Sequence, residues 1–374
     1  MWLESTRLSG EKNLNNFTNN EANGISSPGS PALAELCRKL RSASDLDDPS
    51  SWPQQQLQLC AEAGVFQWFV PEDYGGASWV TEDVVLGYLA LAEACLTTTF
   101  VITQRSAACR RIAMSENESV KNDLLPGLAS GRTFSTVGIS HLTTSHRHFD
   151  PVLKATPVDG GYRVDGFSPW VTGGAKADFI VAGATLDDGR EILFVVETSE
   201  PGVSAAAHQN LVALTGSYTG RVNISDVFVP EEAVIGGPCE SVLTSFGGGA
   251  GGFQTSSLAL GLAGAAINLV EEHSGQREWL SDGGQSLRQQ HSKLVDQLLA
   301  AARGNPVCSN EELRTGANSI VLRATQAALV AAKGAGYVTG HPAGRWCREA
   351  LFFLVWSCPT AVAKAGLCEL AGIE

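Results

Sequence analysis

The chain of 374 residues is too long for one ordinary core and fits two or three packed domains. With 44% hydrophobic and 17% charged residues, it carries ample apolar material for globular domains. Its formal net charge of −13 argues against nucleic acid or an anionic membrane surface as partner, although local Arg, Lys or helix N-termini can still hold an anionic ligand.

Residues 1–30 read as a polar, disordered tail. They lack the apolar stretch of a secretory signal, and their acidic residues and sparse Arg do not suit an organelle transit peptide. No apolar run reaches the roughly 20 residues of a transmembrane helix. Leu258–Val270 comes nearest and is rich in Gly and Ala. Nine Cys, odd in number and without a CxxC pair, look like free or buried thiols in a reducing compartment. The expected location is cytoplasmic.

From Ser30 to about Gly131 the pattern is helical. Leu33, Leu36, Cys37 and Leu40 share one face at helical spacing. Trp52-Pro53 opens a second helix that stops at Gly64. Phe66–Gly76 is an aromatic loop with a Pro and a Gly pair. Thr81 is expected to cap the next helix, with Glu82 and Asp83 favourable to its dipole. That helix, or stacked pair of helices, runs to Ile112, is apolar nearly all round and belongs between other helices.

From Phe134 to Gly236 the period changes to two. Val152–Val158 and Tyr162–Gly166 read as a hairpin around Asp159-Gly160-Gly161. Asp178–Leu186 and Glu191–Glu197 read as a second, and Gly220–Pro230 as a further strand. No helical segment separates these strands, which excludes a parallel βαβ sheet and predicts an antiparallel barrel or sandwich. After Gly237, the segments Thr255–Glu272, Ser286–Ala302, Asn310–Gly334 and Arg345–Leu370 are four helical candidates suited to a bundle. Gly247–Gly252 matches G-x-G-x-x-G, but polar helical sequence follows instead of the strand a dinucleotide fold needs, so it reads as a linker and helix start. The predicted plan is an α+β multi-domain chain: an N-terminal helical domain over 31–133, a middle β domain over 134–236 and a C-terminal four-helix bundle over 237–374.

Four segments carry a more specific pattern. Val70-Pro71-Glu72-Asp73-Tyr74-Gly75-Gly76 fits P-E-x-Y-G-G. Gly166 to Asp178, with Trp170-Val171-Thr172 inside it, resembles G-x-K-x-W-I-T-N-x-x-x-A-D. Gly334-Ala335-Gly336-Tyr337, then Pro342, then Arg348-Glu349-Ala350, resembles G-N-G-F/Y … P … R-D-A. Val137–Arg147 sits where L-T-E-P-x-A-G-S-D is expected. In this order, over about 300 residues, they resemble the acyl-CoA dehydrogenase family of flavoproteins.

The resemblance implies an FAD between the β domain and the bundle, an acyl-CoA or similar small molecule as ligand, and a homodimer or homotetramer. Thr172 would hydrogen-bond the flavin N5 region and Trp170 would pack against its ring, since a planar ring needs an aromatic wall and a few placed donors. The competing readings are a sheet-core Trp and a strand-end hydroxyl. Ser140 takes the place of the family Thr that touches the ring. Gly334 and Gly336 form the Gly-x-Gly segment. His146 and Arg147 replace a Ser and an Asp in the loop that the family lays against the pyrophosphate, where they could serve a phosphate. His141, His146 and His148 invite a metal, but only Asp150 is near as a further ligand, so none is expected.

The departures bear on chemistry. Val330 stands where the family has a Gln on the adenine side of FAD. Arg277 and Trp279 echo the family's R-x-x-F-G at shifted spacing. Ser357 stands where the family has its Glu base. Taking the α-proton of a thioester needs a carboxylate, and a Ser hydroxyl cannot replace it unaided. The helix after the β domain opens Gly251-Gly-Phe-Gln-Thr-Ser-Ser and offers no acid; Glu349 sits a turn or more from Ser357. The backbone N–H of Ser357 survives the change and can still polarise a thioester carbonyl. Cys358 beside it could be a nucleophile, but no His is near in sequence. The expected function is an FAD-dependent acyl-CoA dehydrogenase-like oxidoreductase acting on the CH–CH bond of an acyl thioester, with weakened or altered activity. The alternatives are a flavin-dependent monooxygenase of the same fold, which needs no Glu, and a non-catalytic homologue that binds flavin or acyl-CoA.

Overall fold

The computed structural model describes residues 24–43, 50–143, 151–246 and 253–373. The first helical region contains α1 (Pro31–Ala43), α2 (Gln54–Glu62), α3 (Thr81–Ala94), α4 (Leu96–Met114) and α5 (Glu118–Ser130). α1 buries Leu33, Leu36, Cys37 and Leu40, the face its spacing predicts. The segment from Thr81 to Ile112 is two helices, because Cys95 is extended (φ −158°, ψ 104°) and breaks it. Val80, not Thr81, is the N-cap of α3, and no side chain caps it. α4 is buried around its whole girth from Leu96 to Phe100 and again from Arg105 to Cys109. Arg105 is 1% exposed, lies over the Phe66 ring at 3.8 Å and donates to the Leu128 carbonyl near the end of α5, so it staples three elements.

Among the described residues the sheet holds eight strands: β1 (Ser135–Gly138), β2 (Leu153–Val158), β3 (Gly161–Val171), β4 (Phe179–Leu186), β5 (Glu191–Glu197), β6 (Val203–Ala205), β7 (Gly220–Pro230) and β8 (Val234–Cys239). Their order is β6-β7-β3-β2-β4-β5-β8, with β1 beside β4. Both expected hairpins form, β2 with β3 and β4 with β5. The sheet is mixed, not purely antiparallel, and it does not close into a barrel. β4 takes β1 in parallel at its start (Ser135↔Phe179) and β2 in parallel at its end (Ala155↔Leu186). A crossover without a helix was not expected; here β3 itself carries the chain across, leaving β2 and feeding the turn before β4.

At β4 and β5 both faces of the sheet are covered, and alternate residues divide between two cores. Ile180, Ala182, Ala184, Ile192 and Phe194 join the sheet's own core with Leu153, Val164, Val171 and Ile224. Val181, Leu193 and Val195, one position off, join the larger core shared with the helices.

The C-terminal region contains α6 (Val242–Ser245), α7 (Phe253–Ser274), α8 (Ser281–Ala302), α9 (Asn310–Ala332), α10 (Pro342–Ala350) and α11 (Thr360–Ala371). α9 opens with a capping box, Ser309 and Glu312 bonding reciprocally. α7 is apolar and long enough to cross a membrane, yet it lies buried between α3, α8 and α9. Its approach to α3 needs Gly261: a Cβ there would stand 2.6 Å from the Leu89 carbonyl oxygen. Gly247–Gly252 lies outside the described residues, and a 3-10 turn and α8, not a strand, follow α7. The fourth expected helix, Arg345–Leu370, is broken. α10 passes into a 3-10 turn at Leu351–Leu354, and α11 starts only after Pro359. A residue before proline is pushed out of the helical region, and Ser357, two before it, has φ +46°.

Candidate functional site

The first part of the site grows from the end of β3. Val171 is buried in the sheet's core, so the pleat turns Trp170 and Thr172 to the other face. Trp170 is 52% exposed and therefore not a sheet-core residue. Thr172 is 4% exposed. Its carbonyl accepts from Thr136 Oγ1 at 2.7 Å, which ties the wall to β1. Its hydroxyl meets Thr219 Oγ1 at 2.9 Å, and Thr219 meets Ser217 Oγ at 2.8 Å.

The turn carrying Ser217 and Thr219 is held in place. The Gly173 N–H donates to the carbonyls of Ser217 (3.0 Å) and Tyr218 (3.2 Å). Tyr218, at φ +50°, stacks on His208 at 4.2 Å and leans on Trp52 at 5.6 Å. Trp52 in turn sits over Gly173, where a Cβ would come within 2.8 Å of the indole.

Ser140 lies in a one-turn 3-10 segment, Ser140–Leu142, packed on β3. Its Oγ is buried without a partner among the described residues, as is Ser168 Oγ on β3. A buried hydroxyl of this kind is costly, which marks the place as polar by design or by ligand. His141, next in the turn, is fastened to the Gly183 carbonyl through Nε2 at 2.7 Å. His146, Arg147 and His148 lie outside the described residues.

The second part lies at the end of α9 and beyond. Gly334 and Gly336 sit in the 3-10 turn Lys333–Tyr337; Gly334 is exposed and Gly336 is buried. A Cβ on Gly336 would come within 2.7 Å of Ala332 Cβ, so only glycine lets this turn fold back on α9. Arg277 donates to the Ala331 carbonyl just before it. Val330, where the resemblance would place a Gln, is 58% exposed.

Ser357 is exposed, and its N–H donates to no backbone carbonyl in the turn. Two side chains of α9 hold the turn that presents it. Arg314 Nη2 donates to the carbonyls of Phe353 (3.3 Å) and Trp356 (3.0 Å), and Asn318 Nδ2 donates to Phe353 (3.0 Å). Arg314 is 1% exposed, and burial pushes its guanidinium down to about 10. Phe352 stacks on Trp356 at 4.9 Å, and Phe100 of α4 meets both rings edge-on.

Glu349 is not near to free. It is 2% exposed, and its Oε1 pairs with Arg345 Nε at 2.7 Å. The Glu349 charge raises the Arg345 guanidinium well above its usual range. A carboxylate held in this way is poorly placed to take a proton from a ligand.

α4 joins the two parts. It packs on β1 and on the Thr215–Ser217 turn, and it carries Phe100 against Trp356. Thr136, Ser217, Thr219, Arg314 and Asn318 escaped the sequence reading. Only the α9 pair left a trace there: Arg314, Asn318, Val321 and Thr325 recur at helical spacing, which puts three polar residues on a buried face.

Comparison with known proteins agrees with this architecture. The family model for the N-terminal domain of acyl-CoA dehydrogenases matches residues 34–132. The chain is 24% identical over 339 residues to the mitochondrial 2-methylacyl-CoA dehydrogenase of Solanum tuberosum, covering 83% of this chain and 81% of that one. It is 26% identical over 315 residues to the mitochondrial isovaleryl-CoA dehydrogenase of Oryza sativa, covering 76% and 74%. In three dimensions it superposes on butyryl-CoA dehydrogenase from Megasphaera elsdenii with a TM-score of 0.78 at 20% identity, over 91% of this chain and 97% of that one. Family match, relatives and shared fold all support a member of the acyl-CoA dehydrogenase family.

Proposed function

We propose that the protein binds FAD on the Trp170–Thr172 wall and acts as an acyl-CoA dehydrogenase-type oxidoreductase on an acyl thioester, with weakened or altered activity. The observation that carries this reading is the wall: an indole left 52% exposed, two residues from a buried hydroxyl chain. The side chains suit a flavin. Trp170 offers an aromatic face, Thr172 a hydroxyl, and Ser140 Oγ is buried and lacks a partner among the described residues. When bound, FAD would supply a hydride acceptor.

The chain's own residues then divide the work. Thr172 and Ser140 orient the ring, and Trp170 covers it. The Ser357 N–H, free of any turn carbonyl, is a donor for a thioester oxygen. No carboxylate is available from Ser357 or from the paired Glu349 to remove the α-proton. The family's usual reaction is therefore expected to be slow.

A homo-oligomer is part of the proposal: Val330, Tyr337 and Val338 are 58%, 87% and 64% exposed around the Gly334–Gly336 turn, where a neighbouring chain could cover them. The visible spectrum of the purified protein tests the cofactor. A flavin spectrum is expected, with no rapid anaerobic bleaching by simple acyl-CoAs. A protein that stays colourless after incubation with FAD would refute the cofactor reading, and fast bleaching would refute the loss of the base.

A further inference from the structure

We infer that Thr219 and Ser217 are positioning residues that turn the Thr172 hydroxyl into a hydrogen-bond donor toward an acceptor atom on the bound ring. The inference rests on the FAD reading above and adds to it the direction of a proton. Three hydroxyls stand in line, Thr172–Thr219–Ser217, with separations of 2.9 and 2.8 Å. Each carries one proton. Two protons fill the two bonds, and one is left over.

All three residues are 6% exposed or less, so burial alone does not place that proton; the end that a bound ring can reach does. If the chain runs from Thr172 toward Ser217, the surplus proton falls on Ser217, which is 0% exposed and has no other acceptor among the described residues. If Thr219 accepts from both neighbours, its own proton is stranded at a residue 6% exposed. Either arrangement leaves a buried donor without a partner. If Ser217 donates to Thr219 and Thr219 to Thr172, the surplus proton falls on Thr172, beside the exposed Trp170. A ligand acceptor at that point pairs all three, and the aligned hydroxyls polarise one another.

Nothing else orients Thr172. Its carbonyl is engaged by Thr136, and its hydroxyl has Thr219 as its one partner among the described residues. Thr219 is itself fixed, because the Gly173 N–H clamps the Ser217–Tyr218 turn and Tyr218 is stacked on His208 and leans on Trp52.

The test is a double-mutant cycle read by FAD affinity and by the position of the flavin absorption band. Thr219→Val removes the hydroxyl and keeps the shape. It should weaken FAD binding roughly five-fold and shift the band, and Thr219→Ser should restore both. In a Thr172→Ala background, Thr219→Val should do neither. Ser217→Ala should weaken binding only about two-fold, since Thr219 can still donate. If Thr219→Val does not fold, the same cycle with Ser217→Ala decides. Equal losses with and without the Thr172 hydroxyl, or no rescue by Thr219→Ser, overturn the inference alone. Wild-type protein that takes up no FAD overturns the inference together with the cofactor reading.

Discussion

Replacing Glu349 by Gln isolates the buried ion pair behind the Ser357 turn. The pair is short, 2.7 Å, with side-chain exposures of 13% for Arg345 and 3% for Glu349. At an effective dielectric of about 20, two charges this close attract by roughly 6 kcal/mol before desolvation is subtracted. Gln keeps the shape and leaves the guanidinium buried without a counter-charge, which costs about 3–5 kcal/mol. Among the described residues Arg345 has only a weak second contact, Cys95 Sγ at 4.0 Å, to fall back on. Urea unfolding at neutral pH, followed by far-UV circular dichroism, should show that loss, and Tm should fall by roughly 5–15 °C. The double variant Arg345→Met/Glu349→Leu should recover most of it, since an apolar pair of similar volume replaces a buried ion pair at little cost. A Glu349→Gln protein within about 1 kcal/mol of wild type would refute the reasoning. It would also return Glu349 to the list of candidate bases.

Trp170→Ala should leave stability within about 0.5 kcal/mol, because the side chain is 52% exposed, while weakening FAD binding; unchanged affinity by calorimetry would count against the wall. Ser357→Glu should raise the rate of anaerobic flavin reduction by acyl-CoA by about 10²-fold or more, as a positioned base does; a folded, FAD-loaded variant with no gain in stopped-flow absorbance would argue that residue 357 is not at the base position. His291 supplies a pH test. Burial holds its imidazole below the usual value of about 6.5, and its Nε2–H donates to the Leu260 carbonyl at 2.9 Å. The unfolded chain then binds the extra proton, so the stability it gives is full above that usual value and is lost as pH falls below it. His291→Gln should flatten the acid limb of a melting-temperature profile, and an unchanged limb would assign the loss to other groups.

Much of this molecule follows from local sequence alone. The face of α1, both hairpins, the strand at Gly220–Pro230 and the helices α7 to α9 follow from periodicity and turn residues, because side-chain direction repeats every 3.6 or 2 residues and glycine permits the tight turns. The Trp170-Val171-Thr172 tripeptide and the absence of a Glu at 357 are equally matters of sequence. Tertiary structure decided the rest. Parallel pairing of β4 with β1 and β2 joins segments some 30 to 44 residues apart and depends on β3 acting as the crossover, which no local pattern encodes. Pairing also decided that Glu349 is engaged by Arg345 and that Arg314 grips two carbonyls about 40 residues away, facts of packing between α9, α10 and the turn after it. The hydroxyl line from Thr172 through Thr219 to Ser217 spans 47 residues, and any of the three reads in sequence as an ordinary turn or strand-end residue. Short-range propensity can place a hydroxyl on a strand, but only the folded chain, by removing water and choosing neighbours, determines which way its proton points.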